Sequence, residues 1–222
     1  MDMNNVTDAR LFYKKTGDMK FISHLDMNRC MQRVLRRARL PVWYTEGFNP
    51  HVYITFALPL SLGIESLYET MDFRLTDGAS FADAERLIAP ALPEGLTLIR
   101  VAAPKMKVAD IALADFSVRA CGSGEAVLRA WNDYFAQSEI IIPKKTKAGI
   151  KDIDVKPHIM QQEEPTLEDG VLRLTLRLAA GSVTNINPML LFNDFTEKTG
   201  AAFSRVDYTK LAVYTKNGVL FE

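Results

Sequence analysis

The order in which the apolar period changes along the chain constrains its fold more than any other feature. Residues 9–16, ARLFYKKT, alternate apolar and basic side chains and predict a strand. Residues 23–40 then switch to a helical period, with Met27, Met31, Val34, Leu35 and Ala38 at three- and four-residue steps. Ser23 is the expected N-cap, Asp26 completes a Ser-x-x-Asp capping box, and Pro41 ends the helix. Strands are predicted at 51–58 (HVYITFAL) and 66–75 (SLYETMDFRL). A helix capped by Ser80 follows at 80–92, and a strand at 95–104.

The order recurs after residues 105–114, which read as a linker. ADFSVRA (114–120) predicts a strand and GEAVLRAWNDYFAQ (124–137) a helix. Residues 139–165 read as a strand, a basic turn and a further strand, and GVLRLTLRLAA (170–180) alternates strongly. Asn187, Pro188 and Gly200 bracket a helix as cap, first residue and stop. Residues 204–222 close as a hairpin turning at Asn217-Gly218. Strand, helix, strand, strand, helix, strand, met twice, predicts an α+β chain of two tandem ferredoxin-like (βαββαβ) domains. They are expected at residues 1–104 and 115–222, the second with a basic β-hairpin insertion. The repeat is one of element order, without residue-level similarity. A length of 222 residues suits two domains of about 100.

Formal net charge is zero, so any nucleic-acid function needs a local patch. The charges are unevenly spread. Arg10, Lys14, Lys15, Lys20, Arg29, Arg33, Arg36, Arg37 and Arg39 face few acids up to His51, whereas residues 65–94 are mainly acidic. A second basic run holds Lys144, Lys145, Lys147, Lys151 and Lys156. Cys30 and Cys121 have no partner at metal-ligand spacing and read as reduced thiols. With no signal-peptide run after Met1 and no apolar stretch of about 18 residues, the chain reads as a cytoplasmic protein off the membrane.

On the first helix, Arg29, Arg33 and Arg36 or Arg37 form a stripe opposite the apolar face. A guanidinium fork matches two phosphate oxygens; the competing reading is a solvated face neutralised by the acidic segment. Downstream, YTEGFNPH (44–51) places Tyr44, Phe48 and His51 around Gly47 and the turn-forming Asn49-Pro50. Unpaired bases stack on such rings. The residues expected to hold RNA or another anion are Lys20, Arg29, Arg33, Arg36, Arg37, Tyr44, Phe48, Asn49 and His51. His24, His51 and Tyr44 are the candidates for acid–base chemistry, against a structural role for both histidines. Convergence of His24, Asp26, Asp72 and His51 on a metal lacks helical or His-x-His spacing, so no metal is expected. His158 reads as structural or exposed. With no Walker loop, dinucleotide fingerprint, nucleophile elbow or cluster-binding cysteine motif, no cofactor is expected.

Several motif pieces resemble one family: Lys20, Ser23–Asp26 (SHLD), Arg29, Arg33, Arg36–Ala38 (RRA), Pro41, Gly47–His51 (GFNPH), Pro59-Leu60, Gly63 and Glu69. The stretch resembles the N-terminal hallmark of an uncharacterised bacterial radical-SAM-associated family, found free or fused C-terminal to radical SAM proteins. The likeness is dense over residues 11–73 and looser at KAGIKDIDVKPHI and NINPMLL. It implies a radical SAM protein as partner and an RNA setting, since such proteins tend to be encoded near ribosome and RNA-processing functions. The expected function is an RNA-binding accessory protein that presents tRNA or rRNA to a radical SAM enzyme. The alternatives are a metal-independent RNA endonuclease of the CRISPR repeat-processing type and a protein–protein adaptor.

Overall fold

The computed structural model describes residues 6–122, 124–146, 149–161, 163–181 and 184–222. The chain divides into two compact units, Met1–Asp110 with Glu222, and Ile111–Phe221. Both mix α and β, with antiparallel sheets and four helices among the described residues.

The first unit holds β1 (Thr7–Lys15), α1 (His24–Arg37), β2 (Ile54–Phe56), β3 (Ile64–Leu75), α2 (Phe81–Ile88) and β4 (Leu96–Ala102). β1 pairs antiparallel with both β3 and β4, and β2 pairs with β3, so the spatial order is β4-β1-β3-β2. One sheet face is apolar: Ala9, Leu11 and Tyr13 of β1 with Met71, Phe73 and Leu75 of β3. Met27, Met31, Val34 and Leu35 of α1, and Ala84 and Ile88 of α2, pack on that face. Ser23 caps α1 by accepting from the Asp26 N–H at 3.1 Å. The predicted capping box is half made there, because the Asp26 carboxylate turns to the Ser23 hydroxyl and to Arg29. At Ser80 and Asp83 both halves of a box are present. Gly95, at φ +83°, sits where an added Cβ would lie 2.6 Å from the Thr16 carbonyl oxygen.

The second unit holds β5 (Ile111–Cys121), α3 (Ala126–Phe135), β6 (Ile141–Thr146), β7 (Gly149–Asp154), β8 (Ile159–Gln161), β9 (Thr166–Glu168), β10 (Val171–Ala179), α4 (Pro188–Thr199) and β11 (Arg205–Thr215). β5 lies between β11 and β10, and β8 pairs with the far side of β10, giving β11-β5-β10-β8, with β9 also on β10. β6 and β7 form a two-stranded ribbon, the basic hairpin, with Lys144 opposite Lys151 in register. Lys147, at its expected turn, lies outside the described residues. β5 begins at Ile111, inside the segment read as a linker, because Ile111 and Leu113 already pair with β11. Trp131 and Tyr134 of α3 pack with Phe192 and Phe195 of α4 as an aromatic core. The Tyr134 hydroxyl donates to Asp194 at 2.7 Å.

Each unit carries a bidentate cross-strand ion pair between its first and third main strands, on the face opposite the apolar one. Arg10 on β1 stands opposite Asp72 on β3 and holds it with two bonds of 2.6 and 2.8 Å. Asp115 on β5 stands opposite Arg177 on β10, again with two bonds, of 2.7 and 2.8 Å. The signs are exchanged between the units. Arg10 is 1% exposed, so Asp72→Ala would take away the carboxylate that holds a buried charge with two bonds. Asp72→Ala should therefore lower unfolding free energy by about 3–5 kcal/mol. The Arg10→Met/Asp72→Leu double variant should recover most of it in urea denaturation.

Candidate anion-binding site

The apolar face of α1 sets what its other face presents. With Met27, Met31, Val34 and Leu35 buried, Arg29, Arg33 and Arg37 fall in one line at four-residue steps, about 6 Å of rise each. Together with Asp26, Cys30 and Pro93 they line a cavity of about 300 Å³. Arg29 lies 3.3 Å from Asp26 Oδ1. Arg37 donates to the Ala91 carbonyl, which α2 brings up on the far side. Arg33, between them, is exposed and makes no hydrogen bond or ion pair among the described residues. Arg36 is not in the lining; about 100° round the helix from Arg37, its Nε donates back to the Gln32 carbonyl at 3.3 Å. The stripe is thus completed by Arg37.

The acidic segment spends its charge elsewhere. Asp72 holds Arg10, Glu65 is 3.7 Å from Lys20, Asp83 pairs with Arg86, and Glu85 accepts from the Val101 N–H. No acid of residues 65–94 pairs with an α1 arginine among the described residues. Lys20 is folded against Glu65 and over the Phe21 ring and does not line the cavity. The hydroxyl of Ser23, aided by Arg29, holds the Asp26 carboxyl below its ordinary range against a smaller opposing effect of desolvation. Burial pushes the Cys30 thiol up, with Arg37 and Arg33 opposing, so it is a protonated wall of the cavity at neutral pH.

The GFNPH loop is a closed structure of its own. A bridge joins Tyr44 to Val52, the Thr45 N–H donates to the His51 carbonyl at 2.8 Å, and the His51 N–H donates to Thr45 Oγ1 at 3.1 Å. His51 Nδ1 lies 3.1 Å from both the Asn49 carbonyl and Thr45 Oγ1. Gly47 has φ +113°, open only to glycine at low cost. Phe48, at 111% exposure, is fully open to solvent; Tyr44, Asn49 and His51 are exposed too. His24 instead meets the Phe56 ring edge-on at 5.2 Å. No hydrogen bond or ring contact among the described residues joins His24, Tyr44 and His51 to one another, and none of them lines the cavity. His158 is exposed in a short 3-10 turn. Among the described residues no group of three or more His, Cys, Asp or Glu could hold a metal ion. No helix among them is long and apolar enough to cross a membrane.

Two features escaped the sequence reading. Pro93 closes the cavity from a different element, and no local pattern announces it. Arg74 lies over Trp43 and Tyr53, 5.2 and 4.8 Å from the ring centroids, with Asp8 at 3.0 Å. Cross-strand neighbours on β1 and β3, and rings flanking the loop, were the available signal.

These features define an α+β protein with antiparallel sheets and a cationic cavity on its first helix. The chain belongs to the bacterial family described as "Uncharacterized protein conserved in bacteria (DUF2344)", whose model matches residues 9–188. No curated protein matches the chain. A chain of the "Crystal Structure of a Cbf5-Nop10-Gar1 Complex" is similar in fold, at 10% identity and a TM-score of 0.50. The match covers 94% of this chain and 50% of that one, so this chain spans about half the length of that relative.

Ser23 both caps α1 and holds the Asp26 carboxyl down. Ser23→Ala should cost about 1 kcal/mol in thermal or urea unfolding. It should also raise the Asp26 pKa toward the ordinary range in a carboxyl NMR titration. A depressed folded pKa contributes stability above the unfolded value of about pH 4, lost as pH falls through the folded value. The variant should therefore lose that part of the acid dependence.

Proposed function

We propose that this protein binds RNA, tRNA or rRNA, through the α1 cavity and presents it to a radical SAM partner enzyme. The observation that carries the reading is the line of Arg29, Arg33 and Arg37, offset in the lining by the single carboxylate of Asp26, around a concave space. Arginine forks are suited to phosphate oxygens, and a cavity holds them at fixed spacing. The exposed rings of Tyr44, Phe48 and His51 supply surfaces on which unpaired bases stack. The basic ribbon β6–β7 adds a second cationic element. We read each unit as a ferredoxin-like domain; the strand orders β4-β1-β3-β2 and β11-β5-β10-β8 support this. The resemblance of residues 11–73 motivates the radical SAM partner. Phe21 and Leu25, 64% and 59% exposed, offer apolar area for docking it.

Total tRNA and rRNA should bind at low salt, and affinity should fall steeply as salt rises, in fluorescence anisotropy. Arg29→Gln/Arg33→Gln/Arg37→Gln should weaken binding at least about tenfold. Absence of binding at low salt would refute the RNA reading. RNA incubated with the protein in EDTA should stay intact. Cleavage lost on combining His24→Ala with His51→Ala would replace the binding reading by the endonuclease one. A radical SAM protein should co-purify; retention after nuclease treatment from a protein free of RNA would favour the adaptor.

A further inference from the structure

We propose that the α1 cavity is a receptor for a phosphate monoester, taken as its dianion by Arg29, Arg33 and Arg37. The inference deepens the RNA-binding reading of the same cavity and rests on it only for the source of the group. Charge is the first argument. Three permanently ionised guanidiniums face one carboxylate, Asp26, which leaves an excess of two positive charges in the lining. A phosphate monoester carries about −1.5 to −2 at neutral pH, and a backbone diester carries a single charge. The match is to the end of a chain or to a free phosphorylated molecule, and not to the middle of a strand.

Arrangement is the second argument. Asp26 holds Arg29 at one end of the cavity, and the Ala91 carbonyl holds Arg37 at the other. Both lose little freedom when an anion arrives. Arg33 stands between them, exposed and without an ion pair among the described residues, so its fork is available. Pro93 and Cys30 form walls that a flat helix face lacks. The volume, about 300 Å³, is at the small end for ligand sites, enough for a phosphate with its sugar. The arginines occupy the middle and end of α1, so the positive end of the helix dipole contributes nothing.

Cys30 provides a reporter inside the cavity, with Cys121 as internal control. The test compares a short oligouridylate bearing a 5′-phosphate, the same oligomer ending in a 5′-hydroxyl, and uridine monophosphate. Affinities are read by anisotropy or calorimetry. Occupancy is read as slower alkylation of Cys30, relative to Cys121, by mass spectrometry at mildly alkaline pH. The phosphorylated oligomer should bind about tenfold tighter than the hydroxyl form and protect Cys30. Arg33→Gln should erase that difference with the unfolding midpoint unchanged, and Arg33→Lys should restore only part of it because the planar fork is gone. Equal binding of the two oligomers overturns the monoester receptor and leaves RNA binding standing. Discrimination that survives Arg33→Gln overturns it as well. Protection by uridine monophosphate with neither oligomer bound supports the receptor for a small phosphorylated molecule and refutes the RNA reading. No binding and no protection by any of the three refutes both.

Discussion

The contact between the apolar stripe of α1 and the sheet of the first unit decides how everything else on that unit is presented. Met31 and Leu35 are fully buried, and Met27 and Val34 nearly so, against Leu11, Tyr13 and Met71. Large-to-small changes at such positions typically cost about 2–5 kcal/mol, so the rotation of the helix about its axis is firmly set. Setting it also sets the arginines. A helix turned by one residue, about 100°, would bury a guanidinium and carry the line of Arg29, Arg33 and Arg37 away from Pro93. The cavity is thus a by-product of core packing, completed when α2 and its following turn bring Ala91 and Pro93 alongside.

The same economy governs charge. A chain of zero net charge can still present a cationic site if its acids are used in other pairings. Here Asp72 is held by buried Arg10, Glu65 by Lys20 and Asp83 by Arg86, and among the described residues Asp26 is the acid that pairs with an α1 arginine. Surface pairs such as Arg29–Asp26 contribute little to stability, so this one orients a side chain more than it holds the fold. The recurrence of a bidentate pair on the central strands of both units, with its signs exchanged, serves each sheet in the same way. It satisfies charged groups on the face away from the helices and penalises any slip of register.

Much of the architecture was legible because periodicity and caps are local signals. Ser23, Ser80 and Asn187 each cap the helix they were expected to start, and Gly200 ends the last one in the left-handed region. The strand-helix order of the first half was readable for the same reason, and that of the second apart from the short strands β8 and β9. The site was legible in part. The stripe could be drawn on a helical wheel, but its third member stayed open between Arg36 and Arg37, because the answer depends on Pro93 and Ala91, far away in sequence. Arg10 and Lys20 were counted with the basic surface. Their withdrawal into pairs with Asp72 and Glu65 depends on strand register, which no local pattern states. The GFNPH loop was readable as a turn from Gly47 and Asn49-Pro50. That His51 would be tied to Thr45 and Asn49, with Phe48 left bare, was not.

By itself, the sequence determined where the four helices among the described residues and the main alternating strands lie, which residues cap three of the helices, and that cations gather between Lys20 and Arg39. These follow from steric and hydrophobic preferences that act within a few residues. Only the tertiary structure decided which of those cations remain available and what shape they surround. Ion pairing and cavity formation depend on groups brought together from opposite ends of a unit, and that closeness exists only once the sheet and its two helices have packed.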